Sequence, residues 1–227
     1  MDLPVLDIAE VWDGEYTVTE DMVITGSSGG CDIFTDGNPH EITLDNVNHE
    51  GMGNIYLDLD YSMTIKLKGE NRLNYIYCGG DVTIADAGER DGTLIVINAG
   101  TPLQGNFIIK GGTVKAKATN MGAALNGDLT VNGGTVKAKA TNMGLAVNGS
   151  LTINGGAVYL AGADGNRAVG GEIGGNAALY GWHENYGWIS KEYWMGQDLG
   201  YFNSNQHITT DENSENPTDP RNSKWNW

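Results

Sequence analysis

Proline is scarce in this chain, 5 of 227 residues, which excludes a collagen-like polymer and argues against a long disordered segment. Cysteine is scarcer still. Cys31 and Cys78 are too few for a disulfide-stapled scaffold, lack the spacing of a metal knuckle, and fall out of phase in the repeat described below. Basic residues are outnumbered, 13 against 29 acidic, leaving a net charge of −16. A surface this acidic repels phosphate backbones and anionic lipid headgroups, so nucleic acid and membrane surfaces are set aside as partners. No apolar run is long enough to cross a bilayer. Met1-Asp2-Leu3-Pro4 has neither the basic flank nor the apolar stretch of a signal peptide.

What the chain does have is glycine, 34 residues, placed at regular intervals. Residues 111–132 read GGTVKAKATNMGAALNGDLTVN and residues 133–154 read GGTVKAKATNMGLAVNGSLTIN, with four of the 22 positions different. Three of those four exchange one aliphatic residue for another. A degraded third copy, GGAVYLAGADGNRAVGGEIGGN, fills 155–176. Leucine-rich repeats share this period, but their Leu-x-x-Leu-x-Leu frame is missing. What fits is one triangular coil per period: three short strands joined by tight turns.

In such a coil Leu129-Thr130-Val131 is one strand, Thr135 to Ala140 a second, and the stretch through Ala146 and Val147 a third. Strict alternation points Val136, Ala138 and Ala140 inward and Thr135, Lys137 and Lys139 outward. Asn132-Gly133-Gly134 and Asn148-Gly149 supply the turns. The first strand is traced backwards through Val23-Ile24-Thr25, Ile42-Thr43-Leu44, Met63-Thr64-Ile65, Val82-Thr83-Ile84 and Phe107-Ile108-Ile109. The sequence therefore predicts an all-β fold, a right-handed single-stranded parallel β-helix of about eight coils of ~22 residues, roughly 35–40 Å long. Its expected parts are an N-terminal cap over 1–20, the helix over 21–176, an aromatic cap over 177–202 and a polar linker or docked tail over 203–227. Trp225 and Trp227 are the residues by which that tail would dock.

These same residues carry a resemblance. Tyr16-Thr17-Val18-Thr19, Ile42-Thr43-Leu44-Asp45-Asn46-Val47, Met63 to Asn71, Gly80-Asp81-Val82-Thr83-Ile84 and the Asn-Gly-Gly-Thr-Val repeats follow one another in order. Over roughly residues 14–176 this succession resembles a family of bacterial carbohydrate-binding β-helix domains. The family occurs on secreted and cell-surface proteins of plant-fibre-degrading and gut bacteria. The resemblance implies a pectate-lyase-like fold without catalysis, binding of plant polysaccharides including acidic ones, an extracellular or cell-surface location and a capacity for calcium.

Four lysines are the most informative local feature. A period of 22 stacks Lys115 on Lys137 and Lys117 on Lys139, ~4.8 Å apart on one outer face. Like charges directly opposite destabilise a sheet. A polymer bearing regularly spaced carboxylates would relieve that repulsion, with Tyr159, next in line, offering a ring to a sugar. The alternative is a duplicated coil whose lysines only solvate the face and deter sheet stacking. Asp58 and Asp60 lie on one side of the strand Ile55 to Tyr61, where two carboxylates offer ligands to a calcium ion. The column Asp81, Asn106, Asp128, Ser150, Glu172 and the column Asn132, Asn154, Asn176 mark coil corners and read as architecture.

Against catalysis, the four arginines are scattered out of phase with any acidic cluster, and the four histidines show no nucleophile or metal spacing. Asp58 and Asp60 share one strand with no opposing face. The expectation is a non-catalytic polysaccharide-binding module. The alternatives are a structural stalk or adhesin segment, and a weak polysaccharide lyase.

Overall fold

The computed structural model describes residues 2–11, 14–49, 55–59, 61–88, 92–195, 201–219, 221–222, 224–225 and 227, with the side chains of 49 and 55–59 left aside. Short strands wind into a β-solenoid of about seven turns of ~22 residues, with parallel sheets on its faces. The first face stacks Val5–Asp7, Met22–Ser28, Glu41–His49, Met63–Lys68, the second half of Tyr75–Asp86, the second half of Leu103–Ile109, Leu129–Val131, Leu151–Ile153 and Ile173–Gly175. A second face carries Gly14–Val18, Cys31–Thr35, Ile55–Leu59, the first halves of Tyr75–Asp86 and Leu103–Ile109, Leu125–Asn126 and Val147–Asn148. The third face stacks Glu70–Leu73, Thr93–Asn98, Thr113–Ala118, Thr135–Ala140 and Ala157–Ala161.

Alternation on the repeated third-face strands is what the sequence predicts. Val114, Ala116, Val136, Ala138, Val158 and Leu160 are at most 3% exposed, while the residues between them face outward. Small alanines on this face share one buried core with larger Ile, Leu and Phe107 side chains from the others. The buried Asn71 is satisfied at its corner: its Oδ1 accepts from the Val47 amide at 2.9 Å and its Nδ2 donates to the carbonyls of Lys68 and Thr93.

Corners are held by ladders. The side-chain amides of Asn142, Asn148 and Asn154 each donate to the residue one coil earlier, Asn120, Asn126 and Asn132, at 2.9–3.0 Å. At another corner Asn106 Nδ2 donates to Asp81 Oδ1. The Asp128 amide donates to Asn106 Oδ1, and the Ser150 amide to Asp128 Oδ1 at 2.7 Å. Asp81 and Asp128 are thus each engaged by a backbone or amide donor of the next coil, which makes this stretch of the column a structural spine.

The early coils differ from the sequence alignment in register. Met22, not Val23, stands beside Ile42, and Ile65, not Met63, stands on its other side. Met22-Val23-Ile24 is apolar throughout, so alternation alone does not choose the inward pair. The structure buries Met22 and Ile24 and turns Val23 outward. Met63 lies instead opposite His40, whose amide points at its sulfur at 3.1 Å. Val5–Asp7 and Gly14–Val18 each pair in parallel with the next coil.

After Ile173–Gly175 the chain leaves the spiral. Three antiparallel strands extend the third face: His207–Thr209 beside Ala157–Ala161, then Tyr180–His183, then Gly187–Ser190. A five-residue helix, Lys191–Met195, buries Trp194 against Phe202. Cys31 and Cys78 are both buried and not disulfide-bonded; burial pushes the Cys31 thiol pKa up.

Glycine is obligatory where coils touch. Gly156 has φ +85°, and a Cβ there would sit 2.6 Å from the Gly134 carbonyl oxygen of the coil beneath. Gly174 has open space around it. Gly156→Ala is expected to cost about 2 kcal/mol, lowering the melting midpoint by roughly 4–8 °C, while Gly174→Ala stays within about 0.5 kcal/mol of the parent. Thermal unfolding followed by circular dichroism checks the pair.

Candidate functional site

Register on the third face is in step from coil to coil. Lys115 pairs with Lys137 and Lys117 with Lys139; Ile95 and Ile97 flank one side, and Tyr159 and Ala161 the other. The structure thus brings all four lysines and Tyr159 together on one outer surface. Ile97 is 38% exposed, so the lysines border an apolar strip. Arg72 continues the column beyond Ile95, tied to Glu70 at 2.7 Å.

The C-terminal tail crosses this surface. Lys117 Nζ donates to the Trp227 carbonyl at 2.9 Å and lies 6.0 Å from that residue's ring; Lys139 Nζ donates to the Trp225 carbonyl at 3.1 Å. Lys137 lies 5.6 Å over the ring of Tyr159. Trp225 is 2% exposed, stacked on Trp188 at 5.4 Å and edge-on to Tyr159 and His207. Its indole N–H donates to Ser214 Oγ at 3.1 Å. Asp211 accepts from the Tyr159 hydroxyl and pairs with Lys224 at 2.8 Å. Turns within the tail are closed by Asp211, Asn216, Asp219 and Asn222, each accepting from a backbone amide two residues on.

Crowding shows in the electrostatics. Burial, with Lys115 and Lys224 nearby, pulls the Lys137 pKa down; burial and Lys117 do the same to Lys139, against the opposing pull of Asp164. Asp211 is held below the usual carboxylate range, chiefly by its hydrogen bond from Lys224. Burial, reinforced by Lys139 and partly offset by Asp164, drives the His207 pKa from 6.5 to about 4, so its imidazole is neutral at pH 7.

Between the end of the third face and the tail lies a cavity of about 350 Å³. Lys139 and Thr141 line it from the face, Gly162 and Asp164 from the turn after Ala157–Ala161, Gln206 and His207 from the antiparallel cap, and Pro217 and Thr218 from the tail. Gln206 Nε2 donates to the Gly162 carbonyl and to Asp164 Oδ1. Sequence reasoning missed this cavity. Its lining is drawn from segments up to 79 residues apart, Lys139 to Thr218, and the antiparallel return that joins them leaves no periodic signal.

Of the pair read as a calcium site, the Asp58 side chain and Asp60 lie outside the described residues. Backbone pairing aligns Asp58 with Phe34 and Tyr77, neither a cation ligand through its side chain. Among the described residues no group of three or more His, Cys, Asp or Glu side chains gathers as metal ligands, and no helix is long and apolar enough to cross a membrane. No protein family, curated protein or solved structure matches the chain.

His207 supplies a test of the cap. With a folded pKa of about 4 against 6.5 unfolded, the neutral ring contributes stability that is present above pH 6.5 and lost as pH falls through 4. The full effect is about 3 kcal/mol. Melting midpoints are expected to drop between pH 6.5 and 4, and His207→Gln to flatten that part of the profile. Losses below pH 4, where the depressed carboxylates titrate, should remain.

Proposed function

We propose that this protein is a non-catalytic carbohydrate-binding solenoid of an exported or cell-surface protein, with an acidic polysaccharide as its ligand. The observation that carries the reading is the stacked lysine array with Tyr159 beside it. Four of the chain's 13 cationic side chains stand on one face of a molecule with net charge −16. A rigid sheet holds them at a fixed coil spacing of ~4.8 Å, which suits a polymer with a carboxylate on each unit better than a globular partner. The Tyr159 ring at the end of the array is packed by Lys137, Lys224 and Trp225, so it belongs to the site as the support that fixes Lys137 beside the ligand. The acidic remainder of the surface argues against nucleic acid, which would be repelled everywhere else.

Absence of catalysis belongs to the same proposal. A lyase of this architecture needs a base beside a metal-activated carboxylate. Yet Arg72 is tied to Glu70 and Arg221 to Asp219. Calcium enters the proposal only as a bridging cation between ligand carboxylates and the acidic rod.

One observation favours a different reading. The tail already satisfies Lys117 and Lys139 through main-chain carbonyls, as a purely structural face would require. In that reading the solenoid is a stalk that gives reach, and the lysines serve only to dock its end.

Affinity electrophoresis separates the two. The parent is expected to be retarded by polygalacturonate but not by xylan or cellulose. Lys115→Ala/Lys137→Ala should weaken that retardation about tenfold, the effect of losing one charge-assisted contact to the ligand. Parallel gels with calcium and with chelator report whether a cation bridges. Retardation by no polymer would sink the carbohydrate reading and leave the stalk.

A further inference from the structure

We propose that the cavity beneath the tail is a binding site for a single sugar-acid unit, a small ring bearing one carboxylate and neighbouring hydroxyls. The inference takes its ligand class from the carbohydrate reading, but its site is a half-open recess where the lysine array is a flat face.

Size comes first. At about 350 Å³ the cavity lies at the small end of the ~300–1,000 Å³ typical of small-molecule sites, so it suits one unit and not a length of polymer. Chemistry comes next. The wall formed by the third face presents the Lys139 ammonium, with Lys117 beside it in the neighbouring coil. The turn and cap present the Asp164 carboxylate and the Gln206 amide, already bonded to each other at 3.3 Å. Neutral His207 and the Thr218 residue of the tail complete the polar lining, and Pro217 gives an apolar patch.

These groups are asymmetric in a way that selects a ligand. A carboxylate at the lysine end would form a charge-assisted contact. Hydroxyls at the other end would donate to Asp164 and to the Gln206 side-chain oxygen, whose amide N–H groups already serve Gly162 and Asp164, a pairing a polyol offers and a simple acid lacks. Inorganic polyanions would face repulsion from Asp164. An apolar ligand would strip water from Lys139, Asp164 and Gln206 without replacing it. Only a molecule that is acidic at one end and hydroxylated at the other satisfies both walls.

The tail has a part in this site that differs from its part on the open face. Pro217 and Thr218 form one wall of the cavity, so the same segment that covers Lys117 and Lys139 also shapes a half-open recess beside them. A unit bound there would stand at the edge of the lysine array, as the end of a chain whose remaining length runs outward over the third face.

The test is a titration of the full chain, by calorimetry and by proton NMR at constant ionic strength, with galacturonate, galactose and acetate as probes. Galacturonate is expected to bind saturably in the millimolar range, with galactose and acetate each at least tenfold weaker because each supplies half of the contacts. Lys139→Met should reduce galacturonate to the level of galactose. Asp164→Asn, at an exposed residue, should weaken galactose, which loses its carboxylate acceptor, and leave acetate no weaker than before. Lys66→Met, on the first face, serves as the control that changes none of them.

Equal binding of galacturonate and acetate, or no saturable binding of any probe, overturns the proposal. Retardation by polygalacturonate with no galacturonate binding would also overturn it while sparing the polymer reading. Galacturonate binding without retardation would uphold the cavity and sink the reading of the open face as a polymer track.

Discussion

Parallel hydrogen bonding between successive coils is the constraint on which the rest of this structure depends. Once a strand pairs in register with the same strand one turn on, every side chain acquires a neighbour of the same coil position at ~4.8 Å. Where the stacked groups are complementary to themselves the constraint stabilises. An asparagine can donate to an asparagine and accept from the next, and three such columns run between coils 22 residues apart. Where they are too large, only glycine survives, as at Gly156 above Gly134. Where they carry like charge, the constraint creates repulsion that something else must offset.

The lysine stacks are that third case. A strand with an outward lysine could have been followed by an outward glutamate, giving a cross-strand ion pair. The near-identical copies over 113–118 and 135–140 give lysine on lysine instead. The cap then meets the last coil with an antiparallel strand, His207–Thr209, which removes the open edge that Ala157–Ala161 would otherwise present. At the other end of the same sheet Glu70–Leu73 is the last strand among the described residues, and there the Arg72–Glu70 pair places charge along it. Tail, cap and lysine face are therefore one packed unit, centred on the buried ring of Trp225.

How much of this could be read from the sequence follows from periodicity. Two copies differing at four positions fixed the third-face register residue by residue, and with it the company of Lys115, Lys117, Lys137, Lys139 and Tyr159. Looser coils were less legible. Met22-Val23-Ile24 offers apolar residues to either register, and the pairing of Met22 with Ile42 is settled by burial that no local pattern reveals. The course of the tail was legible only as an expectation attached to Trp225 and Trp227. Beyond the buried Trp225, its contacts are largely main-chain oxygens and Asx-closed turns, which any polar sequence can supply. The cavity had no sequence signal at all, since it exists only once the antiparallel cap has brought Gln206 and His207 beside Lys139.

How the tail engages the lysines bears on what the face can still do. It meets Lys117 through the main-chain oxygen of Trp227 and Lys139 through that of Trp225, while Asp211 is engaged by Lys224 and Tyr159. Burial, with neighbouring ammonium groups, depresses the Lys137 and Lys139 pKa values, and Asp164 opposes that shift at Lys139. Hydrogen bonds to main-chain oxygens return only part of the hydration that a buried ammonium loses. The tail's hydrogen bonds fall on the Lys117–Lys139 column, so a polymer of the proposed kind would meet the face through the Lys115–Lys137 column.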